Sequence, residues 1–572
     1  MKITLLFSYL KPYAGRSVVG ALFKLFEAIL ELYMPMLMVK VIDVGIANGD
    51  KDYVIKMCFV LVGIVFLGLC CAMVCQYLAS KVSQGYGTNL RNALFDKIMS
   101  LSRSQTDEYT AASLINRTTV DVNNLQYFIA MLIRLVIRAP FLCIGGIVMA
   151  FIIDPGLAII VVAVLPVFIF FLAYIMKKTL PLHSNVQKKL DSMTLVLREC
   201  ISGVRVIRAF ARSDEEKVRF EAASAENAAA NMDVAKVAIR LNPITTLIMN
   251  LAIIAVLWMS GAKANYGSIT NGEIVAFINY INQILAALVV VANLVVTFSK
   301  AYSSALRVTA VMSAECDMPN GNVVPDFSST DDIIKFENVS FSYNGGADDL
   351  SGISFTVKKG MSVGIIGGTG SGKTTLVNLI PRFYDARAGA VYVAGTDVKN
   401  AKIKSLRNNI SVVSQKTELI SGTIKENIAF GRDISDEDAI KALKAACGYD
   451  FVEAKPGKLE SEVEQNGANF SGGQKQRLSI ARALAHPCRI LILDDSSSAL
   501  DYATDAQVRK NIREQYSDVT VIAVSQRVGS IKHCDMLLVM DDGRLAGCGT
   551  HDELIKNCRT YREICASQGV TE

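Results

Sequence analysis

The stretch Met361-Ser-Val-Gly-Ile-Ile-Gly367-Gly-Thr-Gly-Ser-Gly372-Lys373-Thr374-Thr375-Leu376-Val377-Asn-Leu379 decides how the second half of this 572-residue chain is read. A short apolar, β-branched run leads into a glycine-rich turn, and a helical apolar pattern follows. Strand, loop and helix in that order form a phosphate cradle. Glycines let backbone N–H groups surround phosphate oxygens at a helix N-terminus, where the partial positive charge of the helix also lies. On this reading Gly367, Gly368, Thr369, Gly370, Ser371, Gly372 and Thr375 line the phosphates, Lys373 reaches the outer two, and Thr374 offers a hydroxyl to Mg2+. The expected ligands are therefore a nucleoside triphosphate and Mg2+.

Further along, Arg489-Ile-Leu-Ile-Leu493 is a continuous apolar strand that ends in Asp494-Asp495. In P-loop proteins an aspartate at such a strand end holds Mg2+, and the next acidic residue can orient the attacking water. Between the two lies Asn469-Phe470-Ser471-Gly472-Gly473-Gln474-Lys475-Gln476-Arg477, a second glycine-containing turn opening a helix.

Upstream of residue 314 the character changes. Hydrophobic residues make up 51% of the chain and charged ones 20%, too oily on average for a soluble protein and too mixed for a wholly embedded one. Six apolar stretches reach spanning length, near 17–41, 55–79, 127–153, 156–177, 242–262 and 275–298. The long intervening segments 80–126 and 178–240 hold most of the basic residues, which places them in the cytoplasm and leaves both termini inside. Their helical periodicity predicts that they continue the spans beyond the bilayer. The net charge of +6 is thus a topology signal, and nucleic acid is not expected as a partner. Thirteen cysteines without metal-ligand spacing read as small hydrophobes in a reducing cytosol or in lipid. The N-terminal stretch from Met1 to Arg16 reads as an interfacial helix and not a signal peptide.

Charges inside apolar spans cost about 2.5–3.5 kcal/mol each and need a reason. Lys24, Glu27 and Glu31 share one face of the first span, and Arg134 and Arg138 share one face of the third. They read either as a structural ion-pair cluster near the cytosolic end or as the lining of a polar cavity that touches substrate. Pro35 and Pro140 could kink these helices or merely bend them.

The P-loop, the Phe470-Ser471-Gly472-Gly473-Gln474 turn and the Asp494 strand, in this order and after six spans, resemble the ATP-binding cassette (ABC) family over essentially the whole chain. The resemblance implies a half-transporter of the exporter type: a helical six-span transmembrane domain at 1–313, a linker at 314–331 and an α/β P-loop cassette at 332–572. It implies ATP sandwiched between the P-loop of one cassette and the signature turn, residues 470–474, of another. It further assigns Tyr343 to stacking on adenine, though a strand-edge tyrosine is the plainer alternative. Gln415 becomes the glutamine that contacts Mg2+ and relays to the membrane helices, and Ser498 to Asp501 the loop after the Mg2+ site. Ala112 to Val122 and Glu199 to Phe210 resemble the two cytoplasmic coupling tips.

Two positions depart from the family pattern. Asp495 stands where active cassettes carry a glutamate, and Gln526 where they carry a histidine. Asp495 is one methylene short, and Gln526 cannot change charge as imidazole does. Losing a positioned general base costs on the order of 10²–10⁴-fold. The combination resembles the degenerate-site subunit of a heterodimeric bacterial multidrug exporter that moves amphipathic drugs, lipids or peptides across the cell membrane. The alternatives are a homodimeric slow exporter or lipid flippase and, from another class, a nucleotide-switched membrane sensor.

Overall fold

The structure, a computed structural model, describes residues 4–265, 269–343 and 345–569. The first three residues of the N-terminal stretch and part of the connection at 261–273 lie outside them. Two compact units are present: 1–99 with 111–314, and 100–110 with 315–572.

The first unit is helical: α1 (Ala14–Lys40), α2 (Lys51–Ser100, its last residue in the second unit), α4 (Arg138–Ile153), α5 (Pro155–Ser202), α6 (Ser213–Ala238), α7 (Leu241–Asn265) and α8 (Asn271–Met312). The short α3 (Arg103–Tyr109) belongs to the second unit. Among the described residues five helical stretches are long and apolar enough to cross a membrane: Lys51–Ser100, Ala111–Ile153, Pro155–Ser202, Ser213–Gly261 and Asn271–Val291. At 27 residues α1 has the length as well, but Lys24, Glu27 and Glu31 fall in its middle. These charges are neutralised locally. Lys24 pairs with Glu27 on the same helix at 2.7 Å, and Glu31 receives Arg138 from α4 at 2.7 Å. Arg134 reaches the carbonyl of Gln76 at 3.5 Å. Pro35 leaves α1 unbroken, whereas Pro140 follows an irregular stretch of wide π-type turns at Leu132–Val136. The physical reason is that Pro140 cannot donate to the carbonyl four residues back, so the preceding turn widens.

Asp121 is buried in this unit and ties its helix to α8. It accepts from Ser304 Oγ at 2.8 Å and from Arg307 Nε at 2.8 Å, with Arg307 Nη2 closing a bidentate pair. Removing one partner of a buried pair leaves an uncompensated charge, at a cost of about 3–5 kcal/mol for fully buried pairs. Arg307 is half exposed, so solvent screening reduces this to about 2 kcal/mol. Arg307→Ala is expected to lower the thermal unfolding midpoint of the purified membrane protein by several degrees.

The same network corrects one expectation. The segment 112–122, taken from the resemblance as the first coupling tip, groups with the membrane unit, and the helix that groups with the second unit is α3. Ser102 caps it through a reciprocal box with Gln105, and Thr110, at φ 58°, ends it. Ser104 donates to Asp317 at 2.7 Å, and Gln105 to the carbonyl of Glu315 at 2.6 Å. The second tip has the expected form: α5 ends before Gly203, a short helix Val204–Ala209 follows, and α6 returns. Its apolar residues Ile201, Val206 and Phe210 are exposed.

In the second unit Glu315–Asp331 packs down, with Phe327 in the core and Val323 bridging to Ala401. An antiparallel sheet contains β1 (Asp332–Phe341), β2 (Leu350–Lys358), β4 (Ala388–Val393) and β5 (Thr396–Asp397), in the order β2-β1-β4-β5. The main sheet contains β3 (Ser362–Gly367), β6 (Ile410–Val413), β7 (Ile490–Asp494), β8 (Thr520–Val524), β9 (Met536–Asp541) and β10 (Arg544–Gly549). Its order is β10-β9-β3-β8-β7-β6, parallel except for the edge strand β10. Strand β7 is buried along its whole length, as a strand covered on both faces must be. Register sets the site: Val524 of β8 lies opposite both Ile365 of β3 and Asp494 of β7. The P-loop, Asp494 and the turn after β8 therefore leave the sheet at one carboxyl edge, where ligands of such sheets bind. Helices α9 (Lys373–Leu379), α10 (Gly472–Leu484), α11 (Tyr502–Gln515) and α12 (Val528–Ile531) complete the parts used below.

Candidate nucleotide site

The P-loop is shaped by two close approaches. A Cβ at Gly367 would meet the carbonyl oxygen of Met540 at 2.2 Å, and Gly372 has φ 92° with Leu350 and Asp349 pressing from behind. Only glycine tolerates either position. Lys373, opening α9, is buried, and its ammonium donates to the carbonyls of Gly367 at 3.0 Å and Gly368 at 2.6 Å. Burial holds that ammonium below its usual pKa range, against the pull of Asp495 and Asp494. Thr374 Oγ1 donates to Asp494 at 3.1 Å. Burial pushes the carboxyls of Asp494 and Asp495 upward, while Lys373 draws both back down.

These residues line a cleft of about 330 Å³ together with Thr369, Gly370, Gly372, Thr375, Gln415 and Gln526. Asp495 takes a left-handed backbone, φ 46°, immediately after β7, and a hydrogen bond from Gln415 reaches its carboxylate. Gln526 is exposed to the cleft, and its carbonyl is anchored by Gln568 at 2.7 Å. Asp501 lies elsewhere: it caps α11, accepting from Thr504 N at 2.9 Å and Thr504 Oγ1 at 2.8 Å. The 470–474 turn also lies apart from the cleft. Ser471 caps α10 through a reciprocal box with Gln474, Phe470 is buried against Phe451 and Lys455, and Ser471 and Gly472 face solvent. One chain thus builds a phosphate cradle and, separately, an open, capped helix start.

Tyr343 sits beside the cradle with its hydroxyl 3.3 Å from Thr375 Oγ1 and its ring edge-on to Tyr384, centroids 5.1 Å apart. Tyr384 in turn donates to Asp107 of α3 at 2.8 Å, and its hydroxyl pKa is pushed up to about 12 by burial and by that carboxylate. A hydrogen-bonded and aromatic chain therefore runs from the P-loop helix to α3. Sequence reasoning missed Tyr384, and it missed Asp348, Asp349, Asp542 and Gly543, which also line the cleft. The Asp542-Gly543 pair was a readable hairpin signal, but its place against Asp349 comes from strands distant in sequence.

Residues 17–288 match the family model "ABC transporter transmembrane region", and 350–498 match the family model "ABC transporter". An uncharacterized ABC transporter ATP-binding protein of Mycobacterium tuberculosis is 33% identical across 100% of this chain and 99% of its own. The chain belongs to the ABC transporter family. It is a half-transporter, with one membrane domain fused to one ATPase domain. An ATP-dependent lipid A-core flippase of Vibrio vulnificus is 27% identical to this ABC transporter over 98% of the chain and 96% of its own. The fold matches a bacterial Atm1-family ABC exporter solved with ATP bound, with TM-score 0.84 and 24% identity over 97% of this chain and 99% of that one.

An ABC ATPase domain binds ATP, normally with Mg2+, and couples its hydrolysis to transport. The donor set of this transporter fits both. The Thr374 hydroxyl and the Asp494 carboxylate are hard oxygen ligands of the kind Mg2+ takes, and Gln415 opens on the same cleft. Lys373 and the loop N–H groups match a polyphosphate. Tyr343, half exposed beside the cradle, is the aromatic that the resemblance expects to stack on adenine. Aromatic stacking is worth about 0.5–1.5 kcal/mol beyond area burial. Tyr343→Ala is expected to raise the ATP dissociation constant by up to tenfold in an equilibrium binding assay, while Tyr343→Trp stays near wild type.

Proposed function

We propose that this chain is one subunit of a heterodimeric exporter of amphipathic molecules, with both termini and the ATPase domain in the cytoplasm. Its own P-loop site holds ATP and turns it over slowly, and its signature turn completes the partner's competent site. The observation that carries this reading is the pair lining the cleft, Asp495 and Gln526. Asp495 leaves β7 on a left-handed backbone with the shorter acidic side chain, and Gln415 already engages its carboxylate. Gln526 hydrogen-bonds without titrating. Neither is a strong base for water, whereas Lys373, Thr374 and Asp494 keep everything that binding needs.

The open Ser471–Gly472 turn and the exposed Ile201, Val206 and Phe210 of the second cytoplasmic tip support a partner subunit, because each is recognition chemistry left uncovered within this chain. Asp501 lies two residues after Ala499, whose carbonyl oxygen would stand 3.1 Å from a Cβ at Gly473 of the signature turn, and belongs to the same face in this reading. For cargo, Glu31 and Arg138 line a cavity of about 290 Å³ with Asn279, Asn282 and Gln283. The ion pair neutralises itself, so the cavity favours a polar or zwitterionic group on an apolar body over a bare charge. Lys24, Glu27 and Arg134 are engaged elsewhere and support the helices. The lipid A-core flippase relative favours a second reading, a homodimeric lipid flippase.

One measurement separates the two: ATPase of the purified chain alone against that of the chain co-expressed with a second half-transporter carrying the glutamate and histidine. The heterodimer reading expects the pair to exceed the lone chain by at least tenfold. Equal turnover by the lone chain would reject it in favour of the homodimer.

A further inference from the structure

A cavity of about 630 Å³, roomier than the nucleotide cleft, lies between α11, strands β3 and β8, and residues 529–535, which begin within α12. Its apolar lining comes from two different hydrophobic cores. Leu493 and Ile512, with Tyr516, Val519 and Val521, belong to the core under α10 and α11, whereas Ala523 and Cys534 belong to the core under β9 and the C-terminal helices. The two cores fail to meet along this seam. Protein interiors otherwise close to near-crystalline density, so an apolar seam of this size is a feature to be explained.

Hydrogen bonds cross the seam from α11 to the facing segment at both ends. At one end Asp505, buried on α11, accepts from Arg509 Nε at 3.1 Å and from Ser530 Oγ at 2.8 Å. At the other, Arg513 donates to the carbonyl of His533 at 2.8 Å. The charges at the mouth are unequal in their commitments. The one acidic residue in the lining, Asp535, is occupied by Ser362 through both its N–H and its hydroxyl, at 2.7 Å each. Arg513 gives its hydrogen bond to a neutral carbonyl while its charge helps hold the Asp535 carboxyl below its usual range, and Lys510 meets Glu514 only at 3.9 Å on the exposed surface. Lys510 and Arg513 thus outnumber the one carboxylate beside the apolar lining. Concave, mostly apolar sites of this volume with a few polar groups at one end are the usual form of small-molecule sites.

We infer that this seam binds an amphipathic carboxylate, of the medium-chain fatty-acid class, with its anionic end at Lys510 and Arg513 and its chain on Leu493, Val521 and Ala523. The floor residues are the immediate neighbours of functional ones. Leu493 precedes Asp494, and Ala523 lies three residues before Gln526. A ligand wedged between α11 and β8 displaces the strand ends that carry the Mg2+ site, so occupancy is felt as a change in nucleotide affinity. The inference does not depend on whether the transporter is a heterodimer or on its cargo.

The test uses the full chain in nanodiscs and a diazirine-bearing decanoate, with labelled peptides identified by mass spectrometry. Labelling is expected within 506–519 or 529–535, competed by decanoate but not by decanol. It should be lost in Ala506→Trp, which fills the exposed wall of the seam, and be reduced at least threefold in Lys510→Glu. Decanoate should shift the ATP dissociation constant at least threefold in the wild type and not in Ala506→Trp. ATP binding by each variant shows that its ATPase domain is folded. Labelling confined to the membrane helices overturns the inference, as does seam labelling unchanged in both variants or competed equally by decanol. An ATP affinity indifferent to decanoate overturns the link to the nucleotide site.

Discussion

Replacing Asp495 by Glu and Gln526 by His together is expected to raise the ATPase rate of the purified chain by about 10²-fold or more, with ATP affinity changed less than threefold. The cleft already supplies binding: Lys373 sits in the loop, and Thr374 and Asp494 stand 3.1 Å apart at the Mg2+ position. On the proposed reading it lacks a base of the right reach: Asp495 is half-buried, follows β7 directly on a left-handed backbone, φ 46°, and carries the shorter acidic side chain. The added methylene of glutamate extends it, and misplacement of about 1 Å is enough to cost 10²-fold. Histidine at 526 adds a group that titrates near neutral pH and can follow charge on the outer phosphate. General-base contributions of about 10²–10⁴-fold set the scale. Each single substitution should recover less than the pair, because the two positions face one cleft and act as a unit. A double variant as slow as wild type would show that these two residues do not limit turnover and would remove the main support for a degenerate site.

The second large effect is on binding. Lys373→Ala is expected to weaken ATP binding by at least 10²-fold, read by equilibrium binding of a fluorescent ATP analogue to the purified chain. Lys373 is buried, and its ammonium holds the loop through the carbonyls of Gly367 and Gly368. Its removal costs twice. The loop loses its internal tether, and the phosphates lose a charge-assisted hydrogen bond, the class worth about 1.5–3 kcal/mol each. Lys373→Arg should not rescue, because a planar guanidinium cannot occupy a pocket built for a compact ammonium among three oxygens. Global unfolding is excluded if the variant keeps the wild-type circular dichroism and thermal midpoint. Wild-type affinity in Lys373→Ala would mean that this loop is not the ATP site. The Asp495 and Gln526 substitutions should have no effect in the Lys373→Ala background, since turnover requires a bound nucleotide.

Much of this is legible in the residue order alone. The P-loop could be read because its chemistry is local: glycines at fixed spacing, then Lys373 and Thr374 at the start of a helix. The β7 strand could be read from an uninterrupted apolar run, and the division into an oily and a charged half from composition. The pairing of Glu31 with Arg138 was one of several possible pairings, because helical periodicity places charges on faces but leaves open which faces meet. The first coupling segment was misplaced for a related reason. Residues 112–122 carry the resemblance, yet the buried bonds of Asp121 to Ser304 and Arg307, some 183 and 186 residues away, lock them into the membrane unit and leave α3 to join the ATPase unit. Tyr384 escaped notice because an isolated tyrosine carries no signal until Asp107 and Tyr343 are brought to it.

The sequence by itself therefore determined the class of the protein, its phosphate-binding loop and the two residues, Asp495 and Gln526, on which the proposed slow site rests. Those are matters of residue type and short spacing, which the peptide chain fixes within one turn of helix or strand. Only the tertiary structure decided where the charges in the membrane unit go, which helix belongs to the ATPase unit, and that two hydrophobic cores leave a seam behind the Mg2+ strand. Each of these depends on contacts between segments tens to hundreds of residues apart, set by which faces pack when the apolar surface is buried, and no local pattern records that choice.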